Sequence, residues 1–141
     1  MNVSFGDHED KFVYVDVLHY ENAPTGDEHD DNWLSIAIRV RVGGFSGKLT
    51  ASILTGELSQ FLTQLRPLHE TLLGSAEFRT LEQQLSLRLT GDGRGGIEML
   101  GEIADQPGGR NHLHFRLEFD QTQLGRSLSE LERVCAAFPI R

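Results

Sequence analysis

The chain has 141 residues, of which 38% are hydrophobic and 24% are charged. This length and amino-acid composition are typical of one globular domain, residues 1–141, and exclude a disordered or fibrous protein. Its 13 basic and 21 acidic side chains give a formal net charge of −8, which repels nucleic-acid phosphate and anionic lipid and favours a basic protein partner. The single cysteine, Cys135, excludes an intramolecular disulfide, and no apolar run is long enough for a signal core or a membrane span, so we expect a cytoplasmic protein.

Three strands are predicted in the first half of the chain. Residues 12–20 are β-branched and aromatic, and the acidic, Pro- and Gly-containing stretch 21–32 is predicted to be a loop. Residues 34–42 alternate apolar and polar side chains with a period of two. The glycines within 43–47 favour a turn into a third strand over 49–53, which completes a hairpin.

A change of period at Thr55 marks the first predicted helix. Leucine and phenylalanine then recur every three or four residues as far as Leu72, with Thr55 as the expected cap and Gly74 as the expected end. Pro67 lies inside this pattern, where it removes one backbone hydrogen bond and clashes with the preceding turn. We therefore expect a kink or break at Pro67.

The second half repeats this order. Residues 85–89 and 97–103 alternate in polarity around the turn sequence at 91–96, and residues 113–119 form a further alternating segment. Asp120 or Thr122 is the expected cap of a final helix, whose apolar stripe is Leu124, Leu128, Leu131, Cys135 and Phe138.

The order βββα-βββα predicts an α+β fold. We expect a mainly antiparallel sheet of about six strands, with two helices packed on one face. The two strand-helix junctions can be laid over each other, which suggests a duplication, although any two junctions with these periods would match about as well.

An acidic cluster lies within residues 26–32, which we call the acidic loop. Its four carboxylates are a candidate binding site for a basic partner: Asp27, Glu28, Asp30 and Asp31. The spacing does not fit a calcium loop, because the positions that should carry Gly and a bidentate Glu are Asn32 and Ile38. A solvated loop is the simplest interpretation of such a charge cluster, and a partner-binding loop is the next.

Two histidines are the best metal candidates in the sequence. His112 and His114 lie two apart on one face of a predicted strand, where both imidazoles could reach one ion, but no third ligand is identifiable. Two polar residues alternating with apolar ones are also what any half-exposed strand contains. We therefore assign no metal and no cofactor to the chain.

No catalytic residue is predicted. Cys135 lies on the apolar stripe of the last helix, where a buried and inert thiol is expected. The GDGRGG sequence at 91–96 opens into a strand rather than a helix, which favours a hairpin turn over a phosphate-binding loop. The exposed strand faces carry four arginines, Arg39, Arg41, Arg88 and Arg116, which could form a basic stripe. Cross-strand ion pairs with Glu98, Glu102 and Glu118 are the expected arrangement.

Five segments together carry a family resemblance: GGFSGKLTASIL, the helix from Glu57 to Gly74 with AEF after it, LSLRLTGDGRGGIE, the Asn111-x-Leu113-x-Phe115 strand with DQT, and the terminal Phe138-Pro139. With these segments the chain resembles the WapI-type immunity proteins of bacterial polymorphic-toxin systems. The resemblance extends from Trp33 to Pro139 and leaves the first 32 residues outside. It implies a small cytoplasmic antidote without chemistry of its own, which binds and blocks a cognate toxin, often a nuclease.

Three functions therefore compete. The first is a non-catalytic immunity protein that binds a basic cognate toxin, but no nucleic acid and no membrane. The second is a small metal-dependent enzyme that uses His112 and His114. The third is a self-assembling structural or accessory protein that pairs through an exposed sheet edge.

Overall fold

The computed structural model describes all 141 residues and contains eight strands and two helices. The strands are β1 (Asn2–Gly6), β2 (Lys11–Tyr20), β3 (Trp33–Val42), β4 (Phe45–Leu54), β5 (Leu73–Arg79), β6 (Leu85–Asp92), β7 (Gly96–Ala104) and β8 (His112–Asp120). The helices are α1 (Thr55–Thr71) and α2 (Gln121–Ala137). Neither helix is long and apolar enough to cross a membrane.

The strands form two antiparallel sheets, with the orders β1-β2-β3-β4 and β5-β6-β7-β8. The α+β class, the antiparallel pairing and the two helices are as the sequence predicts. The strand count differs, since two sheets of four replace one sheet of about six. The two additional strands, β1 and β5, each open a half of the chain, so the order becomes ββββα-ββββα.

One hydrophobic core of 30 buried residues draws on both sheets and both helices. Alternate side chains of β3 supply its centre, because Leu34, Ile36 and Ile38 are fully buried while the residues between them face outward. Phe61 on α1 links the layers through aromatic contacts to Phe5 at 6.2 Å and to Phe78 at 5.2 Å between ring centroids.

The start and end of α1 differ from the sequence expectation. Its N-cap residue is Leu54, while Thr55 is buried in the first turn and its hydroxyl donates to Asn32 at 2.8 Å. The break expected at Pro67 does not occur, and α1 continues to Thr71, after which Leu72 adopts a left-handed conformation. Burial of Leu65 and Leu68, about 1.5–3 kcal/mol each, offsets the penalty of about 3 kcal/mol for an internal proline.

The cap expected for α2 is present. Asp120 accepts a hydrogen bond from the Gln123 backbone N–H at 2.8 Å, and the Gln123 side chain accepts from the Asp120 backbone N–H at 2.9 Å. This reciprocal pair satisfies two backbone donors at the junction of β8 and α2. The turn after β6 is equally regular, since Asp92 accepts from the backbone N–H groups of Arg94 and Gly96.

Each helix covers the edge strand of the other half. Gln64 on α1 accepts a hydrogen bond from the Glu77 backbone N–H in β5 at 2.9 Å. On α2, Glu130 accepts from the Ser4 backbone N–H in β1, and Arg126 donates to the Gly6 carbonyl at 2.8 Å. The β1 and β5 edges are therefore occupied by helix side chains and are closed to further strand pairing.

Candidate partner-binding surface

The acidic loop contains carboxylates with two different environments. Asp27, Glu28 and Asp30 are exposed, whereas Asp31 is only 4% exposed. The Asp31 carboxylate accepts hydrogen bonds from the Thr25 backbone N–H at 2.8 Å, the Thr25 hydroxyl at 2.9 Å and the Gly26 N–H at 2.8 Å. These donors, the Thr25 N–H foremost, lower the pKa of Asp31. Asp31 thus shapes the loop, while the other three carboxylates face solvent.

Asp27 orders the exposed part of the acidic loop. Its side chain accepts from the backbone N–H groups of His29 at 2.9 Å and Asp30 at 3.3 Å, and its carbonyl accepts from the Asp31 N–H. These bonds form a short 3₁₀ turn at Asp30–Asn32 immediately before β3. The exposed carboxylates are consequently presented on a defined backbone.

Asn32 joins the acidic loop to the rest of the protein and is 7% exposed. Its amide nitrogen donates to the Glu28 carbonyl at 2.6 Å and to the main-chain oxygen of Arg141 at 2.8 Å. Its side-chain oxygen accepts from the Thr55 hydroxyl and the Arg141 backbone N–H, both at 2.8 Å. All four hydrogen-bonding positions of the amide are used, which links the loop, α1 and the C-terminal residue.

Arg141 completes this anchor. Its guanidinium group donates to the carbonyls of Asn22 at 2.9 Å and Asp31 at 3.0 Å, and it lies 3.7 Å from the centre of the Tyr20 ring. The Tyr20 hydroxyl donates to the Pro139 carbonyl, and burial raises the pKa of Tyr20. Sequence reasoning missed Asn32 and Arg141, because 109 residues separate them and no local pattern pairs them.

The excess negative charge of the chain lies entirely at its N-terminal end. Residues 1–32 contain nine acids and one base, whereas residues 33–141 contain twelve of each. Three of these acids lie in the β1–β2 turn, one lies on β2, and five lie between β2 and β3, four of them in the acidic loop. The average charge density of the chain therefore understates the field at the acidic loop.

His112 and His114 lie beside one carboxylate of the neighbouring strand. Glu102 is 2.7 Å from His112 Nδ1 and 3.7 Å from His114 Nδ1. His112 Nε2 also lies 2.8 Å from the Gly109 carbonyl. Each ring nitrogen of His112 therefore already lies within hydrogen-bond distance of an oxygen atom, and a metal bound at either nitrogen would have to displace that contact. No group of three or more His, Cys, Asp or Glu side chains is arranged to hold a metal ion.

The remaining candidate groups do not converge on a catalytic arrangement. Cys135 is half-buried on α2, and burial raises the pKa of its thiol, which keeps it protonated. A surface depression of about 460 Å³ lies at the β6–β7 turn and is lined by Asp92, Glu98 and Glu118 among others, without histidine, cysteine or serine. Glu98 and Glu118 are both paired with Arg116 there.

The immunity protein WapI-like family matches residues 4–139. The chain belongs to this family. The match begins at Ser4, so the expectation that the first 32 residues lie outside the resemblance is wrong, and β1, β2 and the acidic loop are part of the WapI-like sequence. The segments that carried the resemblance all follow Trp33, and for this reason the sequence reasoning placed its boundary too late.

A solved structure supports the fold independently. A chain described under "Crystal structures of trypanosoma bruciei MRP1/MRP2" superposes with a TM-score of 0.52 at 12% identity, covering 99% of this chain and 85% of that one. At this identity the likeness concerns the arrangement of strands and helices only. No curated protein sequence matches this chain significantly.

Proposed function

We propose that this WapI-like protein acts as one unit, residues 1–141, and neutralises a cognate bacterial toxin by binding it directly in the cytoplasm. It carries out no chemistry of its own, and the toxin is a basic protein, with a nuclease as the leading candidate. The observation that carries the proposal is the position of the charge: residues 1–32 hold the whole excess of negative charge. Nucleases that bind phosphate present positive surfaces, to which such a segment is complementary.

The acidic loop is the proposed contact. Asp27, Glu28 and Asp30 are exposed on a backbone that is already fixed by Asp31, Asn32 and Arg141. A loop ordered before binding does not have to lose backbone freedom when the partner arrives, and this reduces the free-energy cost of association. Opposite charges on the two proteins also increase the association rate, by an amount that falls as salt is added.

The test is co-expression with the toxin encoded beside this protein, followed by a binding titration with the isolated toxic domain. The variant Asp27→Asn/Glu28→Gln/Asp30→Asn removes three charges while it preserves side-chain size. We expect at least about tenfold weaker binding, equivalent to about 1.4 kcal/mol, and a smaller dependence of the Kd on salt.

The matched control neutralises three exposed carboxylates elsewhere, as Glu70→Gln/Glu118→Gln/Glu132→Gln. This control changes the net charge by the same amount, so it separates the location of the charge from its total. Equal binding by both triple variants would refute the role of the acidic loop. A failure of the unaltered protein to bind the toxic domain or to protect cells would refute the proposed function itself.

A further inference from the structure

Three cations on the exposed face of the first sheet have no acidic partner. Arg39 and Arg41 lie on β3 and Lys48 lies on β4, and all three are exposed. We call these three residues the basic strip. None of the ion pairs in the structure, counted to 4.0 Å, involves any of them, although the chain has 21 acids.

The second sheet provides an internal comparison. On its exposed face, Arg88 lies 3.7 Å from Glu77, and Arg116 lies 2.8 Å from Glu98. Arg79 is likewise 3.0 Å from Glu77. Ion pairs of the expected kind therefore form for Arg88 and Arg116 on the second sheet, although Arg88 pairs with Glu77 and Glu102 pairs only with histidines. Arg39 and Arg41, which were expected to join the same pairs, are left without carboxylates.

This arrangement is costly for the isolated protein. Arg39 is directly opposite Lys48 in the β3–β4 register, and like charges at opposed positions destabilise a sheet. Aromatic rings relieve part of the cost, because Arg39 lies 4.9 Å from the centre of the Tyr14 ring and Arg41 is opposite Phe12. The strip borders a depression of about 240 Å³ that Phe12, Ser46 and Gly47 also line.

An open strand edge lies directly beside the basic strip. The Trp33 carbonyl accepts a hydrogen bond from the Glu21 N–H, so the backbone groups of Trp33 point toward β2. Backbone groups of successive strand residues point to alternate sides, and therefore odd-numbered residues of β3 bond to β2 and even-numbered residues bond to β4. The even-numbered residues of β3 pair with odd-numbered residues of β4, such as Gly47 and Leu49. The backbone N–H and C=O groups of the even-numbered residues Ser46 and Lys48 therefore point away from β3. No other element hydrogen-bonds to them, and only further along does Gln84 donate to the Thr50 carbonyl.

We propose that the basic strip and the Ser46–Lys48 edge of β4 together bind an extended acidic segment of a partner protein. The segment adds beside β4 as a further strand, so that its backbone pairs with Ser46 and Lys48, and its alternate carboxylates reach Lys48 and Arg39. A polypeptide fits both features, since nucleic acid cannot extend a strand ladder. This inference does not depend on the partner being a toxin.

The test uses fluorescence anisotropy with three probes: a short labelled peptide of alternating Glu and Thr, the same peptide with Lys for Glu, and an oligothymidylate of equal negative charge. We expect the Glu-Thr peptide alone to bind the full-length protein. Arg39→Gln/Lys48→Gln should weaken this binding by about tenfold or more. Ser46→Pro should weaken it as well, because proline removes an outward N–H without breaking a β3–β4 bond.

The matched control is Arg79→Gln/Arg88→Gln, which removes two positive charges from the second sheet and should leave binding unchanged. Circular dichroism melts confirm that each variant is folded, and Lys48→Gln alone replaces the double variant if that one does not fold. The proposal is overturned if the peptide does not bind, or if the control weakens binding as much as the strip variant. It is also overturned if oligothymidylate binds at least as tightly and Ser46→Pro has no effect, which would assign the strip to nucleic acid.

Discussion

The Asn32 amide offers a direct test of how the acidic loop is held. Asn32→Ala removes two donors and two acceptor contacts at once, and it leaves the buried Thr55 hydroxyl and the main-chain oxygen of Arg141 without their partners. Each intramolecular hydrogen bond contributes about 1 kcal/mol net, and bonds that share one side chain are not fully additive. We therefore expect Asn32→Ala to lower the free energy of unfolding by about 2–4 kcal/mol.

This loss corresponds to a large fall in melting temperature. A domain of this size loses about 4 °C for each kcal/mol, so the Tm of Asn32→Ala should fall by about 8–16 °C. The matched control is Asn22→Ala in the same connection, where the side chain makes one exposed hydrogen bond to the Asp30 carbonyl. That control should cost less than about 1 kcal/mol.

The assay combines thermal melts with hydrogen exchange. Melts followed by circular dichroism give the two Tm values, and amide exchange locates the change. Faster exchange should be confined to residues 22–32 and the first turn of α1, while β7 stays protected. If Asn32→Ala melts within about 2 °C of Asn22→Ala, the amide does not anchor the loop and the reasoning fails.

Four further substitutions test the packing, the charge and the capping. A Cβ on Gly101 would lie 2.2 Å from the Phe115 ring, so Gly101→Ala should lower the free energy of unfolding by about 1–3 kcal/mol. A Cβ on Gly56 in α1 meets nothing within 4 Å, so Gly56→Ala should raise it by about 0.5–1 kcal/mol. Urea titrations measure both changes. Burial raises the pKa of Glu57, one of whose carboxylate oxygens is buried without a partner; wild-type stability therefore falls as pH rises through that pKa. At pH 7, the Tm of Glu57→Gln should accordingly exceed that of the unaltered protein by less than about 4 °C. This difference should vanish below about pH 4.5, where the glutamate is protonated in both the folded and the unfolded state. A difference in Tm that does not change with pH would contradict the reasoning. Asp120→Ala removes the capping box of α2 and should cost about 1 kcal/mol, visible as a lower urea midpoint with an unchanged slope.

Much of the fold followed from period and turn chemistry. The alternation in β3 and β8 and the three- and four-residue spacing in α1 predicted those elements, because their side chains have one buried and one exposed face. β1 was not predicted, since it is five residues long and buries Ser4, a polar residue whose partner Glu130 is 126 positions away. β5 was not predicted because it follows α1 with one intervening residue and no turn sequence.

The candidate site was less accessible to sequence reasoning. The acidic loop was recognised by composition, but the separate role of Asp31 depends on donors from Thr25 and Gly26 that only a folded turn brings together. The anchor through Asn32 and Arg141 and the lack of partners around Arg39 both depend on which strands are neighbours.

The exchange of helices between the two halves bears on how the chain reaches its native state. α1 follows β4 but supplies a hydrogen-bond acceptor to β5, and α2 follows β8 but covers β1. Residues 1–72 and 73–141, prepared as separate fragments, would therefore each leave a helix face and a strand edge exposed to solvent. We expect each fragment alone to aggregate or remain unfolded, and the two mixed in equal amounts to regain the native circular dichroism spectrum by complementation.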